Sequence, residues 1–397
     1  MRRTLIIVGA VVVVVGIGFL IYFFFFSKPS VTTTPGVTLP GAGQGTGDTV
    51  GGSGTGGTSA GAPVTVAPRL VKISAGPVVP GEVVIDMKPA NASSTPETTV
   101  RYIERQSGNV FSYSVGSQTL SRTNNKTLPG IQSAAWLPNG SVAFVRYLSG
   151  ADSSTINTYA LSATSSDGFF LAQDLADIAV SSTSILTLAS GANGSVASLQ
   201  NTNGTHATPV FTSPLSVLRI SYAGKGQYLA FSKPSGNLPG DAFLIDNAGY
   251  FSRIAGPRNG LVALASPLGK WVLVSSSRGT TMQTELVSTA TNETLSLPIA
   301  TIADKCVWAA DDSAIYCGVP VSPPFGVTYP DDWYQGAVQF SDRIWKIQVA
   351  GRYAQLVLDF SKEAKEPLDV EAFAINPLGS VLVFVNKNDG SLWGYSL

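Results

Sequence analysis

One unit recurs through this chain: an apolar strand, a tight turn and a second apolar strand. The copies are "SAAWLPNGSVAFVR" (133–146), "DIAVSSTSILTLAS" (177–190), "LRISYAGKGQYLAFS" (218–232), "LVALASPLGKWVLVSS" (261–276), "DKCVWAADDSAIYCGV" (304–319) and "EAFAINPLGSVLVFVN" (371–386). The residues entering the turns are Trp136, Val180, Tyr222, Ala265, Trp308 and Ile375, spaced 44, 42, 43, 43 and 67 apart. The last spacing is one period plus about 24 inserted residues. Pairs such as Asn139-Gly140 supply the positive φ that a tight hairpin needs. A period near 43 built on hairpins predicts four-stranded propeller blades.

Each copy continues into a third alternating strand, as in "INTYALS" (156–162), "DAFLID" (241–246), "RIWKIQV" (343–349) and "SLWGYSL" (391–397). Fourth strands such as "FFLAQD" (169–174), "YFSRIAG" (250–256) and "AQLVLDF" (354–360) come next, except after 391–397. Upstream, "RLVKISAGPV" (69–78) reads as a fourth strand, and 82–123 hold a further blade whose Val100 precedes Val142 by 42 residues. The expected fold is therefore all-β: a seven-bladed propeller over 69–397, closed by strand 69–75 pairing with strand 391–397. Closure removes an open edge that would otherwise invite aggregation. Trp136, Trp308 and Trp393 read as core on the inward strand positions.

Residues 5–26, "LIIVGAVVVVVGIGFLIYFFFF", carry no charge and reach roughly 33 Å as a helix, enough for one transmembrane crossing. The apolar core is too long for a cleaved leader, so an uncleaved signal anchor is expected. Arg2 and Arg3 place residues 1–4 in the cytoplasm and send the chain beyond the anchor outside. Residues 27–68 are Gly, Thr, Ser and Pro in low complexity, read as a flexible linker. The expected localisation is a single-pass cell-membrane protein with an extracytoplasmic propeller. With 25 Lys+Arg against 25 Asp+Glu there is no basic excess to bind nucleic acid.

Cys306 and Cys317 are the only cysteines, and the repeat register sets them opposite one another on one hairpin. An exported domain sits where disulfides persist, so a bridge is expected, with two buried thiols as the alternative. No metal site and no cofactor is expected. His206, the only histidine, lies in the polar loop "NTNGTHATP" and reads as a solvated residue.

The insertion 320–342 falls between the second and third strands of its blade, on the face of the inter-blade links. Its Tyr329, Asp331, Asp332, Trp333 and Tyr334 combine exposed-type aromatics with carboxylates, a composition suited to recognition. Sugar stacking, peptide capture and a Ca²⁺ site are all compatible with it, as is a structural flap with Trp333 folded over the blade. "KPSGNLPGD" (233–241) and "GPRNG" (256–260), with Arg258, are expected on the same face, and "KPANASSTPE" (88–97) on the opposite one.

The stretches "AWLPNGSVAF", "ASPLGKWVLV" and "INPLGSVLVF", each continuing into a strand like "SLWGYSL", resemble the repeats of TolB-type, WD-like bacterial propellers. The layout as a whole is similar to uncharacterised membrane-anchored propellers. That resemblance implies extracytoplasmic binding or scaffolding and brings no catalytic motif with it. The expected function is a non-catalytic binding or scaffold module for a protein, peptide or envelope glycan, and not an enzyme. The alternative is an envelope polysaccharide hydrolase or lyase using loop 320–342.

Overall fold

The computed structural model describes residues 68–87 and 96–397. The anchor expected at 5–26, all but the last residue of the linker at 27–68, and most of 88–97 lie outside the described residues. Among the described residues no helix is long and apolar enough to cross a membrane.

Seven sheets of four antiparallel strands make up the fold. Their first strands are Val83–Met87, Ile131–Trp136, Leu175–Val180, Leu218–Tyr222, Val262–Ala265, Cys306–Trp308 and Val370–Ile375, which open blades 1 to 7 in order. First strands touch across five of the seven blade junctions, all but those between blades 1 and 2 and between blades 5 and 6, which places the first strands innermost around the axis. Apolar clusters occupy every blade-to-blade interface, from Val79, Ile103 and Trp136 between blades 1 and 2 to Val84, Val100 and Val383 between blades 7 and 1.

The seventh blade closes as expected. Leu70–Lys72 pairs antiparallel with Leu392–Ser396, with Leu70 opposite Tyr395, Val71 opposite Gly394 and Lys72 opposite Trp393. Lys72 also reaches Asp389 at 3.1 Å, and Ser74 Oγ accepts the Leu392 amide at 2.8 Å. Trp136, Trp308 and Trp393 are all buried. Trp136 Nε1 donates to Gly81 O of blade 1 and Trp308 Nε1 to Leu264 O of blade 5, so two of these indoles tie adjacent blades as well as filling space.

On one face the blades end in tight first-to-second-strand turns, tied sideways by single side chains. Asp86 of blade 1 accepts from Asn376 Nδ2 and Leu378 N on the turn of blade 7. Asp312 of blade 6 accepts from Ser266 Oγ and Leu268 N on that of blade 5. The other face carries the links between blades and the second-to-third-strand loops. There the insertion leaves strand Ala314–Pro320, makes one helical turn at Asp331–Tyr334 and re-enters the sheet at Asp342–Gln348. Cys306 and Cys317 are cross-strand partners joined by a disulfide.

Candidate functional site

The insertion is a docked flap. Trp333 is 1% exposed and Tyr329 is 4% exposed, so the reading of both as exposed-type aromatics is corrected. Tyr329 stacks on Phe340 at 6.0 Å. Its carbonyl lies where Gly236 and Gly260 leave no room for a Cβ, and in that space the flap backbone lies close against blade 4.

Beneath Trp333 lies a buried ionic cluster. Lys305, in the link between blades 5 and 6, is fully buried and pairs with Asp342 at 2.8 Å and with Asp369. Asp369 accepts from Trp333 Nε1 at 3.1 Å and from the Phe340 amide at 3.0 Å. Asp342 accepts from the Val370 amide at 2.7 Å. Burial raises the Asp342 carboxyl above the usual range, and Lys305 opposes that shift. The Lys305 and Lys387 ammonium groups each lie 4.9 Å from the Trp333 ring centroid. Buried charge is tolerated when paired and hydrogen-bonded, and here Lys305 pairs both carboxylates while Asp342 Oδ1 is left without a hydrogen-bond partner.

The remaining candidate residues are also engaged. Asp331 Oδ2 accepts from Gly236 N at 2.6 Å, and Asp332 Oδ2 from Thr328 N at 2.8 Å. Tyr334 donates its hydroxyl to Asp304 at 2.7 Å, and Asp304 pairs with Arg219 at 2.6 Å. Burial, reinforced by the Asp304 charge, pushes the Tyr334 phenol well above its ordinary value. Arg258 pairs with Glu285 of blade 5. The geometry thus brings Tyr329, Asp331, Asp332, Trp333 and Tyr334 together in one flap, and leaves Arg258 bound to a different neighbour. His206 is exposed beside Thr205 and Asn201.

Sequence reasoning missed the ring of polar residues where the first strands begin. Glu82 precedes Val83, Asp177 stands in "LADIAV", Arg219 in "LRISY", Lys305 before "CVW" and Glu371 in "VEAFAI". Aligning the blades on these entry positions, not on the turns, would have revealed that column. Glu82 is buried, and burial, opposed by the Glu82 and Gly81 amides and aided by the Glu371 charge, pushes its carboxyl up to about 8. Asp177 accepts from the Ile178 and Ile220 amides, and burial raises its carboxyl. Arg146 crosses from blade 2 to donate to Leu175 O and Ala176 O of blade 3.

No protein-family model and no curated protein matches the sequence. Solved structures do match the fold. An oligogalacturonate lyase in complex with manganese aligns at TM-score 0.51 and 9% identity, over 81% of this chain and 98% of that one. Another oligogalacturonate lyase, from Vibrio parahaemolyticus, aligns at TM-score 0.54 and 8% identity, over 82% and 93%. Hydrazine synthase of Kuenenia stuttgartiensis aligns at TM-score 0.50 and 12% identity, over 80% and 96%. Identities this low establish a shared propeller and nothing finer.

They do correct one expectation. The reading of this chain as no enzyme rested on the lack of a catalytic motif, yet the same architecture belongs to lyases, so the fold gives that reading no ground. Among the described residues no group of three His, Cys, Asp or Glu side chains is placed to hold a metal ion.

Proposed function

We propose that this chain is a single-pass, membrane-anchored propeller, related to the TolB-type group, that recognises a protein, peptide or envelope glycan outside the membrane through its flap-bearing face. One observation carries this reading: the two faces are built unequally. One is made of tight turns locked by Asp86 and Asp312, whereas the other gathers the flap and the charged entry positions of the first strands. Concave, loop-built faces on a rigid scaffold are where binding groups concentrate.

Photo-crosslinkers test it. They replace Phe325 at the fully exposed flap tip, or Tyr250 in a third-to-fourth-strand turn of blade 4, in the full-length chain in its native membrane. Adducts of defined mass at the flap position and none at Tyr250 are expected. Adducts at Tyr250 alone would overturn the reading.

A second reading is an envelope polysaccharide lyase or hydrolase using loop 320–342, supported by the architecture shared with two oligogalacturonate lyases. Incubation of the parent protein with acidic and neutral cell-envelope polysaccharides tests it: new chain ends support it, and no turnover in the parent removes it.

A further inference from the structure

We propose that a pocket between the inner strands of blades 3 and 4, on the flap-bearing face, binds a peptide carboxylate: an Asp or Glu side chain, or a terminal carboxylate, set beside an aliphatic residue. This deepens the binding role proposed above and rests on it. The pocket has a volume of about 660 Å³, and Arg146, Asp177, Ser190, Val217, Arg219 and Lys233 are among the residues lining it. By topology they come together at one end. Arg146 lies in the second strand of blade 2, Asp177 and Arg219 stand where the first strands of blades 3 and 4 begin, and Lys233 comes just after the second strand of blade 4.

Charge selects the ligand class. Arg219 is answered by Asp304, and Asp177 by two backbone amides. Lys233 is exposed and has no ion pair among the described residues. Arg146 spends its terminal nitrogen on two carbonyls, while its buried Nε has no partner. Three cations therefore face two carboxylates, Asp177 and Asp304, and one positive charge is left unanswered. A monoanion balances that charge, whereas a dianionic phosphate overshoots it.

The lining selects the carrier. It contains no aromatic ring on which a pyranose could stack. Val217, part of the lining, is 54% exposed, an aliphatic side chain beside the cations. An extended peptide meets both, placing its carboxylate on Arg146 and Lys233 and a neighbouring Leu or Val side chain on Val217.

The experiment uses the full-length chain in detergent micelles and a fluorescein-labelled peptide, Leu-Glu-Leu with blocked ends, read by fluorescence polarisation. Saturable binding is expected, weakening as salt rises. Affinity should fall at least tenfold for Leu-Gln-Leu and for the Lys233→Glu variant. Arg146→Gln should lower it in the same direction, and an unchanged melting temperature for Lys233→Glu shows that the loss is local. Absence of saturable binding, or equal affinity of the parent and Lys233→Glu, overturns the inference. So does preferential displacement by a galacturonate trisaccharide, which would assign the pocket to a sugar. If the crosslinkers on the flap-bearing face capture a partner while the peptide fails to bind, only the pocket assignment falls. If they capture nothing and the peptide binds, the broader recognition role falls instead.

Discussion

Two groups of charge lie on the same face and have opposite characters. Around Lys305 the flap has closed over the ions: Lys305, Asp342 and Asp369 are buried and exchange hydrogen bonds with Trp333, Phe340 and Val370. Around Arg146 and Lys233 the ions surround an open pocket with one charge left over. The first is sealed by the flap, so its charges face the protein itself. The second also ties blades through Arg146, Asp177 and Arg219, and it leaves Lys233 without an ion pair among the described residues. A charged residue on a propeller face is therefore read by whether its partners come from the chain itself.

The largest effect that separates the two regions is expected from Lys305→Met. It leaves Asp342 and Asp369 as uncompensated buried carboxylates and should cost about 3–5 kcal/mol, measured by denaturant unfolding. A loss below about 1 kcal/mol would mean that the cluster is wetter than it looks. Trp333→Ala removes the flap's anchor and should cost a comparable amount, about 3–5 kcal/mol.

Glu82→Gln comes next, and here the sign depends on pH. The folded carboxyl titrates near 8, above its ordinary value of 4.5, so the folded state holds more protons between those values. Stability from this group is complete below the unfolded value and is lost as pH rises through the folded one, by up to about 1.4 kcal/mol per unit. The Gln variant should therefore gain on the parent steadily from pH 5 to pH 8. A constant difference across that range would show that Glu82 is ionised and paired.

Reducing the Cys306–Cys317 bridge has a smaller effect. So short a loop contributes at most about 3 kcal/mol, and the flanking Trp308–Ile315 pair remains. A calorimetric comparison with Cys306→Ser/Cys317→Ser checks this. The smallest stability change belongs to Lys233→Glu, within about 0.5 kcal/mol.

Much of the fold was legible because its determinants are local. Hairpin turns such as Asn139-Gly140 recur at a fixed period, and strand alternation sets register, which placed Cys306 opposite Cys317 and the strand at 69–75 beside that at 391–397. The site was less legible because its determinants are distant. Trp333 has the composition of a binding residue, yet Asp369, 36 residues further on, supplies the partner that buries its indole. Lys305 looks like a surface lysine until the flap and the next inter-blade link are folded over it. Arg146 and Lys233 are 87 residues apart, and only the ring brings them to one pocket.

The contrast between the closed and the open cluster is tested most directly by measuring unfolding and peptide binding together on Trp333→Ala and Lys233→Glu. The account predicts that Trp333→Ala loses several kcal/mol (about 3–5) and, under native conditions, keeps the Leu-Glu-Leu affinity within a few-fold. Lys233→Glu should keep its stability and lose that affinity at least tenfold. The reverse pattern, with Trp333→Ala abolishing binding at unchanged stability, would contradict it.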